Sequence, residues 1–191
     1  MDKFLVEVSA RHVHLNQEDL DVLFGQGYEL HPKKYLSQPD MYASEEKVVL
    51  KGPKGEMKAT ILGPLRNKTQ VEISLTEART LGVKAMVRES GDLEGTLGGL
   101  TLVGPAGEKT IESGVIAAKR HVHMTPEDAN TYGVSNGDIV AVKIETADRP
   151  VVFANTVIRV SDKFKLAMHI DTDEANAAAI SGTAEGEIVK F

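Results

Sequence analysis

The sequence predicts a mainly β fold of two similar small β-barrels capped by short α-helices, with an internal duplication. Three observations support this fold class. Strand-like runs are numerous, helix signals are few and short, and several segments occur twice in similar form. Many short strands with few helices favour barrels over an α/β sheet. With 191 residues, the chain can bury two cores of about 95 residues each.

The predicted strands are short runs in which apolar residues are continuous or alternate with polar ones. They cover residues 4–8, 47–50, 57–62, 70–75, 110–117, 139–144, 151–160 and 166–170. A Gly-Pro-x-Gly segment occurs twice, at 52–55 and 104–107, and predicts a tight turn between strands in both places. Residues 135–138 predict a further turn.

Short helices are predicted where a capping residue precedes acidic ones. Asn16 and Thr125 stand at N-cap positions with acidic residues in the following turn, and Pro126 occupies the favoured first helical position. The similar segments 77–83 and 128–134 predict short helices that end at glycine.

The most informative duplication is a His-x-His motif, at His12 and His14 and again at His121 and His123. A β-type run precedes each copy and a capped short helix follows it. Residues i and i+2 of a strand project from the same face, so each pair of imidazoles can converge on one point. Two imidazoles on one extended segment are a common metal-binding arrangement. One copy alone is a weak signal, but two copies in one repeated unit favour a metal site.

His169 lies on an apolar strand. By itself it would be interpreted as a core histidine, but two His-x-His pairs in the same fold favour a ligand role. We therefore predict a metal site from five of the six histidines, namely His12, His14, His121, His123 and His169. Glu72 alternates with apolar residues, and a solvated strand face explains that pattern equally well.

Composition excludes several classes of protein. The net charge of −6 argues against a nucleic-acid partner, which requires a basic face. Apolar runs stop well short of the ~18 residues of a membrane span, so no membrane partner is expected. Because cysteine is absent, disulfides, thiolate ligands and cysteine nucleophiles are excluded. The N-terminus lacks the features of a secretion signal, and a cytoplasmic location is expected.

The chain resembles the phosphate propanoyltransferase family of phosphotransacylases over about residues 5–182. The matching segments keep their order along the chain: 8–15, 62–74, 90–95, 119–124 and 168–176.

This resemblance implies a dinuclear zinc centre, with two Zn²⁺ per chain. His12, His14 and Glu72 would hold one zinc and leave a position for the sulfur of coenzyme A. His121, His123 and His169 would hold the second, and Arg66 would be the catalytic residue that faces phosphate. The family fold implies a discontinuous first barrel, residues 1–10 plus 119–191, and a second barrel, residues 11–118.

The implied reaction interconverts acyl-CoA plus phosphate and acyl phosphate plus coenzyme A, with a propanoyl or acetyl group. Direct attack of phosphate on the thioester is expected, since neither a cysteine nor a serine in a nucleophile-elbow pattern is available. The resemblance also implies a homodimer and an association with bacterial microcompartments. The N-terminal targeting helix usual in packaged members is absent here, so either the chain was trimmed or the enzyme works free in the cytoplasm.

Two other functions fit the histidine pattern. A dinuclear metallohydrolase would use a bound hydroxide instead of phosphate. A non-enzymatic β-barrel binding module would hold a structural metal, but such a site is usually closed by four protein ligands. Imidazole also accepts cobalt, nickel or iron.

Arg11 and Arg120 precede their histidines and should point away from the metals.

Overall fold

The computed structural model describes residues 2–189, and the chain divides into two compact units. The first unit comprises Met1–Ala10, Ser37–Pro39 and Lys119–Phe191, and the second comprises Arg11–Leu36 and Asp40–Ala118. None of the helices found within residues 2–189 has the length and apolar character needed to cross a membrane.

Strands dominate the described residues, so the predicted mainly β class is confirmed. In chain order they are β1 (Phe4–Val8), β2 (His12–His14), β3 (Pro32–Tyr35), β4 (Tyr42–Lys51), β5 (Glu56–Gly63), β6 (Gln70–Glu72), β7 (Met86–Arg88), β8 (Leu100–Val103), β9 (Glu108–Ile111), β10 (Val115–Ala118), β11 (His121–Met124), β12 (Ile139–Ile144), β13 (Val151–Val160), β14 (Ala167–Ile170) and β15 (Thr183–Val189).

Four short helices accompany these strands in the described part of the chain. They are α1 (Gln17–Phe24), α2 (Leu75–Leu81), α3 (Pro126–Tyr132) and α4 (Thr172–Ala177). Asn16 and Thr125 cap α1 and α3 as predicted, and each side chain accepts a hydrogen bond from a backbone N–H of the first turn. Gly82 and Gly133 end α2 and α3 in the left-handed conformation that glycine adopts without a steric penalty.

The first unit is a closed barrel of six strands in the order β1-β14-β11-β13-β12-β15, with β15 paired back to β1. Its core contains Val6, Val122, Met124, Ile158 and Met168, all of them fully buried. Burying this apolar surface is the main favourable term that holds the barrel together.

The second unit is a nine-stranded sheet. Eight strands follow the order β7-β10-β6-β2-β5-β4-β8-β9, and β3 pairs with β4. Val13, Ile61, Val71, Leu100 and Leu102 are fully buried in its core. The two Gly-Pro-x-Gly segments form the predicted turns, one between β4 and β5 and the other between β8 and β9.

The duplication extends to strand order. In the first unit, the successive neighbouring pairs in the order β1-β14-β11-β13-β12 are parallel, antiparallel, parallel and antiparallel. In the second unit β10-β6-β2-β5-β4 pair in the same senses and the same order. The His-x-His strands β2 and β11 therefore occupy equivalent places, and so do β6 and β14.

Two strand predictions differ from the structure. The run 70–75 was expected to be one strand, but β6 ends at Glu72 because Ser74 caps α2 with its hydroxyl and its own N–H. The run 110–117 contains a turn between β9 and β10, centred on Glu112-Ser113-Gly114, where Gly114 adopts a φ of 94°. Local capping and turn chemistry outweighed the β propensity of these segments.

Candidate metal centres

The second unit brings His12, His14 and Glu72 together. One donor atom from each residue lies within 4.8 Å of the donor atoms of the other two, and all three side chains are buried. Nε2 of His12 lies 3.5 Å from Glu72 Oε2, and Nε2 of His14 lies 3.8 Å from Glu72 Oε1. Hereafter these three residues are the Glu72 triad.

Strand register builds the Glu72 triad. In the antiparallel pair β2·β6, His12 lies directly opposite Glu72, and His14 lies opposite Gln70. Val13 and Val71 project to the other face, where both are fully buried in the apolar core. Alternation along both strands thus anchors one face in the core and leaves the other face for polar donors.

The charges within this triad favour a neutral histidine and an ionised carboxylate. Burial, followed by the neighbouring His12 and Arg66, holds the pKa of His14 well below its ordinary value. Burial acts to raise the pKa of Glu72, but its interactions with His12, then His14 and Ser90, outweigh burial and hold that pKa well below normal. Metal ligands must be deprotonated, so both shifts favour coordination.

A polar network surrounds Glu72. The hydroxyl of Ser90 donates to Glu72 Oε1 at 2.7 Å and accepts from Arg66 Nη1 at 3.0 Å. The side-chain Nε2 of Gln70 donates to Glu72 Oε1 at 2.5 Å, and the side-chain Oε1 of Gln70 accepts from the Gly91 N–H at 2.8 Å. Arg66 lies on the loop after β5. The backbone N–H of Arg66 donates to the backbone carbonyl oxygen of Leu15 at 2.8 Å and fixes this loop beside the end of β2. The sequence prediction did not assign roles to Ser90 or Gln70.

The first unit brings His121, His123 and His169 together, hereafter the His169 triad. Their ring centroids are 4.6 Å apart for His121 and His123, 5.0 Å for His123 and His169, and 5.3 Å for His121 and His169. His121 lies opposite His169 in the antiparallel pair β11·β14, the same register that pairs His12 with Glu72. Among residues 2–189, only the Glu72 triad has three donor atoms that all lie within 4.8 Å of one another.

The contacts of the His169 triad also suit a cation. Nδ1 of His121 lies 2.8 Å from the carbonyl oxygen of Lys119, to which it can donate, leaving Nε2 as the donor atom for a ligand. Nδ1 of His123 is buried with no hydrogen-bond partner among the described residues. Burial, His121 and His169 lower the pKa of His123 to about 2. Glu7 pairs with His169 across β1·β14 and places Oε2 3.9 Å from its Nδ1.

Two further titratable residues, His31 and Asp171, have contacts outside the two triads. His31 is exposed and hydrogen-bonds through Nδ1 to Glu46 Oε1 at 2.7 Å. Asp171 is the N-cap of α4, where its Oδ1 accepts from the Glu174 N–H at 2.8 Å. Neither residue is a member of the Glu72 triad or of the three-histidine cluster in the first unit.

The donor sets fit zinc. Zinc takes imidazole and carboxylate ligands at about 2.0–2.2 Å in a tetrahedron, which sets neighbouring donor atoms about 3.4 Å apart. The separations of 3.5 and 3.8 Å in the Glu72 triad are close to that value. A buried carboxylate beside two buried imidazoles, and the buried Nδ1 of His123, are groups that a bound cation would satisfy.

Comparisons with known proteins identify the family to which this chain belongs. The sequence profile of the phosphate propanoyltransferase family matches residues 5–181. Phosphate propanoyltransferase of Thermotoga maritima is 53% identical over 188 residues, which are 98% of this chain and 89% of that protein. The proteins of the same name from Clostridioides difficile and Salmonella typhimurium are 52% and 54% identical, covering 97% and 90% of this chain and 88% and 81% of theirs. The chain belongs to the phosphate propanoyltransferase family.

Proposed function

We propose that this chain is a zinc-dependent phosphotransacylase that interconverts acyl-CoA plus phosphate and acyl phosphate plus coenzyme A, with a propanoyl or acetyl group. Family membership supports the acyl transfer. One contact in particular supports the use of phosphate: Arg66 is hydrogen-bonded through Ser90 to the carboxylate of the Glu72 triad.

Zinc would be held by two sets of residues. His12, His14 and Glu72 would bind one ion, and His121, His123 and His169 would bind another. When bound, zinc supplies positive charge that stabilises a thiolate and polarises an acyl carbonyl. Three protein ligands per ion leave room for water or substrate, as is typical of catalytic and not of structural zinc. That the two ions form a dinuclear centre stays a prediction.

Arg66 would bind the phosphate. A guanidinium offers a planar fork of N–H donors that matches two phosphate oxygens, whereas a lysine ammonium acts as a point charge. The Ser90 hydroxyl holds one Nη of this fork at 3.0 Å and thereby limits its orientation. A guanidinium held in this way loses less conformational entropy when phosphate binds.

The transfer needs no covalent acyl-enzyme. A phosphate oxygen attacks the thioester carbonyl carbon, a C–O bond forms, the C–S bond breaks, and its electron pair leaves on the sulfur as coenzyme A thiolate. The chain contains no cysteine that would serve as an alternative nucleophile. Burial lowers the pKa of His14 and of His123, so these two imidazoles would add no charge of their own beside a bound ion.

The deciding experiment mixes the zinc-loaded protein with propanoyl-CoA or acetyl-CoA, with and without phosphate. We expect release of coenzyme A that requires phosphate and yields acyl phosphate in equal amount. Release at the same rate without phosphate would instead identify a metallohydrolase. Binding of zinc without any turnover would identify a binding module, and an acylated residue after mixing with acyl-CoA alone would contradict direct attack. Homodimer formation, a cytoplasmic location and microcompartment association stay predictions.

A further inference from the structure

Arg11, immediately before the first His-x-His motif, joins three segments of the second unit. Its Nε donates to the carbonyl oxygen of Lys58 on β5 at 2.7 Å, and its Nη1 donates to Glu77 Oε1 at 2.6 Å. Glu77 is the third residue of α2, and its Oε2 accepts from the N–H of the N-cap Ser74 at 2.9 Å. Ser74 follows Glu72 by two residues, so this contact reaches the segment that carries the third ligand of the triad.

Arg120, immediately before the second motif, makes the same set of contacts in the first unit. Its Nε donates to the carbonyl oxygen of Ala154 on β13 at 2.9 Å, and its Nη1 donates to Glu174 Oε1 at 2.5 Å. Glu174 is the third residue of α4, and its Oε2 accepts from the N–H of the N-cap Asp171 at 2.9 Å. Asp171 follows His169 by two residues.

The atoms correspond one by one between the two units. In both, the guanidinium Nε binds a carbonyl on the strand parallel to the histidine strand. In both, Oε1 of a capping-box glutamate accepts from the arginine while Oε2 closes the cap. Since Arg11 and Arg120 each precede a histidine, they project from the opposite face of the strand and do not face the donor atoms. Their contacts act on the backbone that carries the ligands.

We infer that Arg11 and Arg120 are positioning residues for the two triads. Each holds the third ligand, Glu72 or His169, against its His-x-His pair through the capped turn that follows the ligand strand. The strands β2 and β6 are only three residues long each, so few ladder hydrogen bonds fix their register without this support. The inference rests on the proposed zinc binding.

A guanidinium suits this role for a geometric reason. It presents Nε and Nη1 on one rigid plane, so that fixing the carbonyl contact also fixes the carboxylate contact. The carboxylates are largely buried, with 11% of the Glu77 side chain and 16% of the Glu174 side chain exposed, which strengthens a charge-assisted hydrogen bond. A lysine has a single nitrogen and cannot occupy both donor positions.

The test measures zinc affinity at each triad separately. In a background where His121→Ala and His123→Ala disable the His169 triad, zinc affinity of the Glu72 triad is measured by competition with a chromophoric chelator. We expect Arg11→Gln and Arg11→Lys to lower this affinity about 10-fold. This is the lower end of the range of about 10- to 100-fold for groups that hydrogen-bond a metal ligand directly, because Arg11 acts through the capped turn. In the converse background, with His12→Ala and His14→Ala, Arg120→Gln should have the same effect on the His169 triad.

The matched controls are Arg79→Gln on α2 and Arg149→Gln, which remove an exposed guanidinium from each unit. Both should leave zinc affinity unchanged. Glu77→Gln provides a second variant in case Arg11→Gln does not fold, because glutamine can still accept the Ser74 N–H but lacks the negative charge that Arg11 binds. A merely structural role would lower the free energy of unfolding of these variants while leaving the zinc affinity of the folded protein at the parent value.

Unchanged zinc affinity in both Arg11→Gln and Glu77→Gln, in a parent that binds zinc, would overturn the inference and leave the proposed function standing. A parent that binds no zinc would overturn both. Loss of affinity in these variants with retention in Arg79→Gln would support the positioning role. Arg11→Gln in the background with His12→Ala and His14→Ala should leave the zinc affinity of the His169 triad unchanged, and this result would show that the effect is local.

Discussion

Glu72 and His169 occupy equivalent positions in the two units. Glu72 lies opposite His12 in β2·β6, and His169 lies opposite His121 in β11·β14, both in antiparallel register. The duplicated fold therefore supplies two triads on one plan that differ in the charge of the third ligand. The Glu72 triad includes a carboxylate, while the His169 triad consists of three imidazoles. A zinc ion would retain a higher positive charge on the His169 triad than on the Glu72 triad.

This equivalence predicts that histidine can replace Glu72. We expect Glu72→His to retain zinc at that triad, because imidazole is a suitable ligand and the backbone position is the one that His169 uses. Glu72→Ala should lose the ion, because two imidazoles alone remain. Zinc content by elemental analysis separates the two variants, and a Glu72→His protein with no more zinc than Glu72→Ala would contradict the prediction.

Removing the metal should destabilise the fold. Chelation would take a bound cation away from the buried carboxylate of Glu72 and from the buried Nδ1 of His123. A ligand at about 1,000 times its Kd stabilises the native state by about 4 kcal/mol, so chelation should lower the thermal midpoint by roughly 8–16 °C. Scanning calorimetry with and without a chelator measures this difference, and re-addition of zinc is the control. Full activity after complete chelation would contradict the zinc requirement.

Arg66→Ala should weaken the use of phosphate. Hydrogen bonds to a charged group are worth about 1.5–3 kcal/mol, so we expect kcat/KM for phosphate to fall about 10- to 100-fold. The KM for acyl-CoA should change far less. Lys68→Ala, which removes an exposed cation from the same loop, serves as the control and should leave both constants close to the parent values. Equal phosphate kinetics in Arg66→Ala and the parent would exclude Arg66 from phosphate binding.

Ser90→Ala should impair the same step to a smaller extent. The variant removes the hydroxyl that accepts from Arg66 and donates to Glu72, at 3.0 and 2.7 Å. We expect about a 10-fold fall in kcat/KM for phosphate, because the guanidinium of Arg66 is still present and loses only the contact that limits its orientation. Ser90→Thr retains the hydroxyl and should recover most of the activity, while the exposed Ser113→Ala controls for loss of a surface hydroxyl. If Ser90→Thr and Ser90→Ala were equally impaired, steric fit and not the hydroxyl would explain the effect.

The His31–Glu46 pair should make stability depend on pH. The hydrogen bond to Glu46 raises the pKa of His31. Burial acts to raise the pKa of Glu46, but hydrogen bonds from His31 outweigh it and lower that pKa. A raised histidine pKa stabilises the fold fully below the ordinary value, and the contribution is lost as the pH rises through the raised pKa of His31. It is also lost in acid, as the pH falls through the lowered pKa of Glu46.

His31→Gln should therefore lower the free energy of unfolding more at about pH 5.5 than at about pH 8.5, on either side of the ordinary histidine range. Urea denaturation at both pH values measures the difference. Lys33→Gln removes an exposed cation from the same segment and should show no such dependence. An equal loss of stability at both pH values would mean that the neutral imidazole supplies the whole contribution.

Several features of this protein are readable without a structure because they are local. The side-chain alternation in β2 and β11 is fixed by strand geometry, so His12 and His14 share one face while Val13 enters the core. N-caps such as Asn16 and Thr125 act within four residues of the chain, and they are where the sequence predicts them. The repeated motifs likewise predict the duplication that the strand order confirms.

The partners of those motifs are decided only by tertiary structure. The sequence pattern of Glu72 fits a solvated strand face and a metal ligand equally well, and pairing of β6 with β2 places it opposite His12. Ser90 and Gln70 converge on Glu72 from separate segments, and Arg11 reaches Glu77 across 66 residues. Periodicity determines which face of a strand a residue occupies, whereas the packing of the whole core selects which strand lies beside it.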